Sequence, residues 1–437
     1  MRGLWPSKAA GCIYGFCLCA MLLAGCTSPE PVTLNFPHDW SSRPDELAKR
    51  AELSQRFTRE TGIHVRDIPT PESTFDQLAL YRELLRQGSS GADLLGIDLI
   101  WTDLLEPDLI DLQSYLPAEI SFVVPQLLPG YTVGRKVVGI PYQVNIGSLE
   151  YRTDLLREYG YDHPPETWDE LEAMAKRIQT GERAKGKKDF WGFVWQGAEA
   201  EALTCNALEW QIAEGGGRIV ESDRTISVNN PAAIRAWQRA RHWVGWISTP
   251  SVIAYRERDS MNVFDSGGAA FDLAGDKHCS ERALQPNLLA KSGAARDDGF
   301  YQRASRPRRV GWHLGRSRFG GFPVFGLSPR SCQTGSIPTS RTSRVDRGAR
   351  QRFWRPGRIL HHNAGLRPLL KLIHQASIVH RPSIETRSQY TQVSAAYART
   401  VHAVLARQKE APEAAAELEK QLMQITGFRP GLPRKEN

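Results

Sequence analysis

From residue 32 onward the chain switches repeatedly between two hydrophobic periods. Residues 32–36, 63–68 and 94–101 are short, β-prone apolar runs, and each suits a strand. Between them lie stretches with helical spacing. Pro44 opens one that closes before Gly62, with Leu47, Ala51, Leu53 and Phe57 on roughly one face. A second spans 74–86 around Phe75, Leu78, Leu84 and Leu85. Strands alternating with helices in this way predict an α/β fold with a mostly parallel sheet.

Residues 136–151 change character. Val137-Val138-Gly139-Ile140-Pro141 and Val144-Asn145-Ile146-Gly147 read as extended segments punctuated by Gly and Pro, suited to crossing between lobes. A helix is predicted from Trp168 to about Gln179, with Thr167 as its N-cap and Glu170 at the capping-box position. Further helices are expected over 199–214, which Gly215-Gly216-Gly217 ends, and over 231–247. Near the C-terminus Val393, Tyr397, Val401, Val404 and Leu405 share one helical face. Ala415, Leu418, Leu422 and Ile425 share another, in a helix opened by Pro412 and closed by Gly427.

The N-terminus carries a different signal. Arg2 and Lys8 precede an apolar stretch over 9–23 that is short for a membrane span and ends in Leu23-Ala24-Gly25-Cys26. This is the pattern of a lipoprotein signal peptide, 1–25, with Cys26 as the lipidated residue. A lipid there would tether the body to a membrane rather than thread it through. Of the seven cysteines, only Cys205 lies outside the leader, the lipobox and a basic block, so no disulfide framework or metal set is expected.

Charge then singles out one region. The formal net charge is +8, yet residues 272–380 alone hold 20 Lys and Arg, 17 of them Arg, against 6 acids. The rest of the chain is net acidic, so a nucleic-acid function is not expected of it. From 303 to 358 the block shows neither period. We read 272–380 as a stretch translated out of frame; a natural disordered segment and a basic nucleic-acid-binding insert stay open beside that reading.

The motifs outside the block form a recognisable set. They are Gly139-Ile140-Pro141-Tyr142 with Asn145, Leu149-Glu150-Tyr151-Arg152-Thr153-Asp154-Leu155-Leu156, Pro165-Glu166-Thr167-Trp168-Asp169-Glu170-Leu171 and Trp191-Gly192-Phe193-Val194-Trp195-Gln196-Gly197. Tyr255-Arg256-Glu257, Val263-Phe264, Ala269-Ala270-Phe271 and Arg381-Pro382-Ser383 complete it. In this order, and behind a lipobox, the chain resembles the family 1 extracellular solute-binding proteins of ABC importers, particularly the maltose- and trehalose-binding lipoproteins.

The resemblance implies a two-lobe α/β receptor with a hinge and an interlobe cleft. The expected partition is 26–140 and 265–380 in lobe 1, with 141–264 and 381–437 in lobe 2. It implies a sugar ligand, an ABC permease with its ATPase subunit as partners, no cofactor, no metal and a monomeric state. The expected place is the cell envelope, facing the periplasm or exterior.

By the same resemblance Asp98, Asn145 and Glu257 would hydrogen-bond sugar hydroxyls, and Trp101 and Trp195 would offer stacking faces. Arg381 would reach the ligand from the second lobe; Gln196 and Glu201 rank below these. Plainer readings stand beside each: a strand-end loop carboxylate for Asp98, a turn residue for Asn145, a solvated face for Glu257 and core positions for the tryptophans. The family's usual Met-Arg-Asn-Trp after Ala-Ala-Phe is replaced by Asp272-Leu273-Ala274-Gly275. A decayed or frameshifted receptor without binding activity is therefore the alternative. A glycosidase pair of Asp98 and Glu257 is the enzyme alternative, but no nucleophile elbow, zinc motif or dinucleotide loop accompanies it.

Overall fold

The computed structural model describes residues 31–38, 44–71, 73–86, 91–121, 123, 128–141, 147–275, 325–327 and 381–433. The leader with Cys26, the crossing residue Asn145 and almost all of the basic block lie outside the described residues. By packing, the chain falls into two units, 1–35 with 41–67, and 36–40 with 68–437.

In the smaller unit, helix α1 (Pro44–Thr61) has the predicted bounds. Its apolar positions are less uniform than expected: Leu53 is 56% exposed, whereas Leu47 and Phe57 are half-buried. Strands β1 (Thr33–His38) and β2 (His64–Pro69) form a two-stranded sheet.

Among its described residues the larger unit holds two large apolar cores and a small third cluster of Val194, Phe264 and Ala269. The first begins with α2 (Thr74–Arg86) and β3 (Leu94–Gly96). The strand predicted to reach residue 101 ends at Gly96, because Asp98 caps a single 3-10 turn, Leu99–Trp101, by accepting from Ile100 N at 3.1 Å. Tyr81, fully buried on α2, fixes that end of the strand: its hydroxyl lies 2.7 Å from the Gly96 carbonyl and 3.0 Å from that of Pro37. The short strands β4 (Thr132–Val133) and β5 (Lys136–Val137) pair antiparallel and complete the local layer.

The second core is larger. Its sheet comprises β6 (Gly147–Tyr151), β7 (Trp191–Val194) and a later strand, Ala269–Gly275, that lies between them. The helices α3 (Thr153–Glu158), α4 (Trp168–Ala184), α5 (Glu201–Ala213), α6 (Pro231–Trp243) and α7 (Glu257–Asp265) belong to this part of the chain. Thr167 caps α4 as expected, taking the Glu170 N–H at 3.1 Å. Glu170 bonds back to Glu166 N at 2.6 Å, one residue ahead of the capping-box partner. The helix runs past Gln179 to Ala184 because Ile178, Gln179 and Glu182 are all buried along it.

β8 (Thr225–Ile226) pairs parallel with a C-terminal strand, Arg429–Pro430, and β9 is the central strand Ala269–Gly275. β9 runs antiparallel to β6 and parallel to β7, and β10 (Phe325–Leu327) runs antiparallel to β3. Sheets of mixed sense replace the mostly parallel one expected. Ala270, Phe271 and Leu273 fill the second core, and the register is continuous to Gly275, opposite Gly147. The strand thus continues through Asp272-Leu273-Ala274-Gly275, where the family-like sequence pattern stops.

The C-terminal helices α8 (Tyr390–Leu405) and α9 (Ala411–Thr426) bury Val393, Tyr397, Val401, Leu418 and Leu422 in the second core. Gly427 closes α9 at φ +70°, a conformation open to glycine at little cost, and its N–H reaches the Met423 carbonyl at 2.9 Å. β11 (Arg429–Pro430) follows and pairs with β8. Among the described residues no helix is long and apolar enough to cross a membrane.

Candidate functional site

The densest buried polar cluster that contains predicted site residues forms around Arg381. Its guanidinium is fully buried, which would be untenable without counter-charges. Nη2 donates to Asp98 Oδ1 at 3.0 Å, and Nη1 donates to Glu201 Oε1 at 2.6 Å. Asp98 is 6% exposed and comes from the loop after β3, beside the first core. Glu201 is also 6% exposed and opens α5, in the second core. One arginine therefore joins carboxylates 103 positions apart in sequence, from elements that belong to different cores.

Glu201 carries more than this pair. Tyr390 donates its hydroxyl to the same Oε1, and Ser394 Oγ donates to Oε2 at 2.6 Å. Ser394 Oγ also lies 2.8 Å from Thr204 Oγ1, one turn into α5. The position at the first turn of α5 adds the favourable field of the helix N-terminus to a carboxylate already held by three donors.

Burial works against the charge on Arg381, but the Asp98 carboxylate, Tyr390 and Glu201 outweigh it and hold the guanidinium protonated well above its ordinary range. Burial, then the Glu201 charge, pushes the Tyr390 phenol well up, so it stays a donor. The arrangement is a set of fixed, oriented hydrogen-bonding groups between two cores. Among the described residues no group of His, Cys, Asp and Glu could hold a metal ion.

The other predicted residues divide. Trp101 is 2% exposed and meets Tyr81 edge-on at 5.8 Å, inside the first core. Trp195 is fully buried; it packs edge-on against Trp210 at 5.0 Å and donates Nε1 to Ser248 Oγ at 3.0 Å. A stacking platform needs an open ring face. In this arrangement both rings are packed inside their cores. Gln196 is likewise a core group, donating to Ser260 Oγ at 2.6 Å and the Leu273 carbonyl at 2.9 Å. Glu257 is exposed at the start of α7 and, among the described residues, no hydrogen bond joins it to the Arg381 cluster. Cys205 is buried and forms no disulfide among the described residues.

Sequence reasoning brought out Asp98 and Arg381 but ranked Glu201 below them and passed over Tyr390 and Ser394. A signal for Glu201 was present. It opens a segment, Glu201–Ala213, that is apolar nearly all round, and a carboxylate on such a helix requires a buried donor. Tyr390 and Ser394 are spaced i, i+4 on the face that also carries Val393 and Tyr397, where a polar pair needs a partner.

Residues 40–278 match the sequence profile of the bacterial extracellular solute-binding proteins. The chain belongs to that family. It is similar, at 33% identity over 429 residues, to a probable ABC transporter-binding protein of Deinococcus radiodurans, covering 92% of this chain and 96% of that relative. A match of this extent spans the basic block rather than stopping at its edge. In structure the solute-binding chain is similar to maltose-bound MalE3 of T. maritima, with a TM-score of 0.68 and 25% identity, over 90% of this chain and 100% of the other. It is also similar to a solute-binding protein of Thermotoga lettingae bound with α-D-tagatose, with a TM-score of 0.67 and 18% identity, over 91% and 100%. The fold is the two-lobe α/β fold of this family.

Proposed function

We propose that the chain is the carbohydrate receptor of an ABC importer, capturing a disaccharide such as maltose or trehalose by closure of its two lobes and passing it to a permease. The observation that carries this reading is the 0.68 match to a maltose-bound protein across 90% of the chain. The likeness to the tagatose-bound protein supports a carbohydrate fold lineage but not a particular sugar.

In this reading Asp98 accepts from a sugar hydroxyl and Arg381 donates to a ring or hydroxyl oxygen. Both have the chemistry for it: a carboxylate accepts strongly and a guanidinium presents a fixed fork of donors. Glu257 and Asn145 would supply further hydrogen bonds to sugar hydroxyls. Cys26 would carry the lipid, placing the receptor on the outer side of a membrane beside its permease. Closure follows when the ligand makes contacts available only with the lobes together.

The test is a thermal-shift panel on the purified full chain. Maltose or trehalose at 100-fold excess over Kd would stabilise the protein by about 2.7 kcal/mol. A midpoint that none of maltose, trehalose, tagatose or glucose moves would overturn the receptor reading. That result would favour a receptor that has lost binding, which the arginine-rich composition of 272–380 suggests.

A further inference from the structure

We infer that Glu201 is the positioning residue of a buried latch between the two cores, and that this latch sets how readily the proposed ligand site closes. Its link to ligand rests on the receptor reading; the latch itself does not.

The segment from Arg381 to Ser394 bonds to both sides. Towards the first core it makes the Arg381–Asp98 pair and, six residues later, Arg387 Nη1 meets both Asp103 carboxylate oxygens at 3.3 Å. Tyr390 also packs its ring among the apolar residues of the first core. Towards the second core, Arg381, Tyr390 and Ser394 all converge on the single carboxylate of Glu201. Without Glu201 the segment would keep its hold on the first core; on the second, Val393 would stay in the apolar core and Ser394 beside Thr204, but Arg381 would lose one of its two counter-charges and the three donors their shared carboxylate.

Two features distinguish this from ordinary core glue. Arg387 sits at φ +52° and ψ −127°, a conformation that a side chain other than glycine rarely adopts. Its backbone strain is tolerated where the surroundings over-determine it. Moreover, bonds of 2.6 and 3.0 Å to a fully buried guanidinium do not stretch: hydrogen bonding falls off steeply beyond about 3.2 Å. The cluster is made in one relative placement of the cores and broken by a shift of an ångström or two. It therefore acts as a two-position contact, and removing it redistributes the population between placements.

The experiment uses the full chain with Glu201→Gln, which keeps shape and removes the charge, and Tyr390→Phe, which removes one donor and keeps the ring. Small-angle scattering without ligand and maltose titration calorimetry are measured on both and on the wild type. The expected result is a radius of gyration larger by about 1 Å, as the cores separate more freely. Maltose Kd should rise about tenfold, the penalty for a closure-competent population reduced by that factor. Unchanged scattering in both variants would overturn the latch, whether or not the wild type binds sugar. A changed radius with an unchanged maltose Kd would overturn its coupling to the ligand site. A wild type that binds no maltose would sink the receptor reading while the scattering still decides the latch.

Discussion

The two cores of the larger unit differ in how they are made. The second is assembled from long helices around a three-stranded sheet and holds Trp168, Trp195, Trp210, Trp237 and Trp243, all but fully buried and several stacked edge-on. The first relies on one longer helix, α2, short strands and single turns, and it takes part of its closure from distant sequence: β10 pairs with β3, and Tyr390 enters from α8. Both cores use chain that arrives late, but the second receives two whole helices, α8 and α9, whereas the first receives only the short β10 and the Tyr390 ring. That shared late chain explains why the ties between the cores converge on the segment beginning at Arg381.

The comparison is broken most severely by removing the centre of the second core. Trp243 packs against Trp168 at 5.2 Å and Phe193 at 5.4 Å and donates Nε1 to Glu172 at 2.7 Å. Trp243→Ala should cost about 3–5 kcal/mol through the cavity alone. Urea unfolding monitored by circular dichroism measures this, and a loss below about 1 kcal/mol, the scale of a surface change, would contradict a core packed in this way.

A smaller effect is expected on acidification. Glu182 is buried at the end of α4 and bonds Lys185, Lys187 and Tyr159. Burial alone would raise its pKa, but the Lys185, Lys187 and Tyr159 contacts outweigh it and bring it from 4.5 down to about 2. A group depressed on folding stabilises the native state above its unfolded pKa, and that contribution is lost as pH falls through the folded value. Thermal midpoints of the wild type should therefore drop between about pH 4.5 and 2, and Glu182→Gln should flatten that slope. Parallel pH profiles would show that the cluster contributes nothing.

The smallest effect sharpens the account of local structure. Thr167→Ala removes the cap of α4 and should cost about 1 kcal/mol, readable as a shifted urea midpoint with an unchanged slope. An unchanged midpoint would mean that Glu170, through its bond to Glu166, holds the helix start alone.

How much was legible in the sequence follows the same asymmetry. The bounds of α1 and α2, the cap of α4 and the faces of α8 and α9 could be read directly, because local period and capping chemistry decide them. The early end of β3, the mixed sheet and the place of β9 could not. Each depends on a partner far along the chain, such as Arg381 on Asp98 or Gly147 on Gly275. In the candidate site, Arg381 stood out in a family-like motif and Asp98 as a carboxylate at the expected end of a strand. Glu201 was undervalued because its partners, Tyr390 and Ser394, lie nearly two hundred residues away.

The most direct measurement is maltose titration calorimetry on the full chain and on Asp98→Asn. The account predicts a saturable one-site isotherm for the wild type and at least a tenfold weaker one for the variant, the loss of a hydrogen bond to a charged group being worth about 1.5–3 kcal/mol. No heat with the wild type, or equal affinities in the two proteins, would contradict the claim that this chain is a sugar receptor whose ligand is held at Asp98.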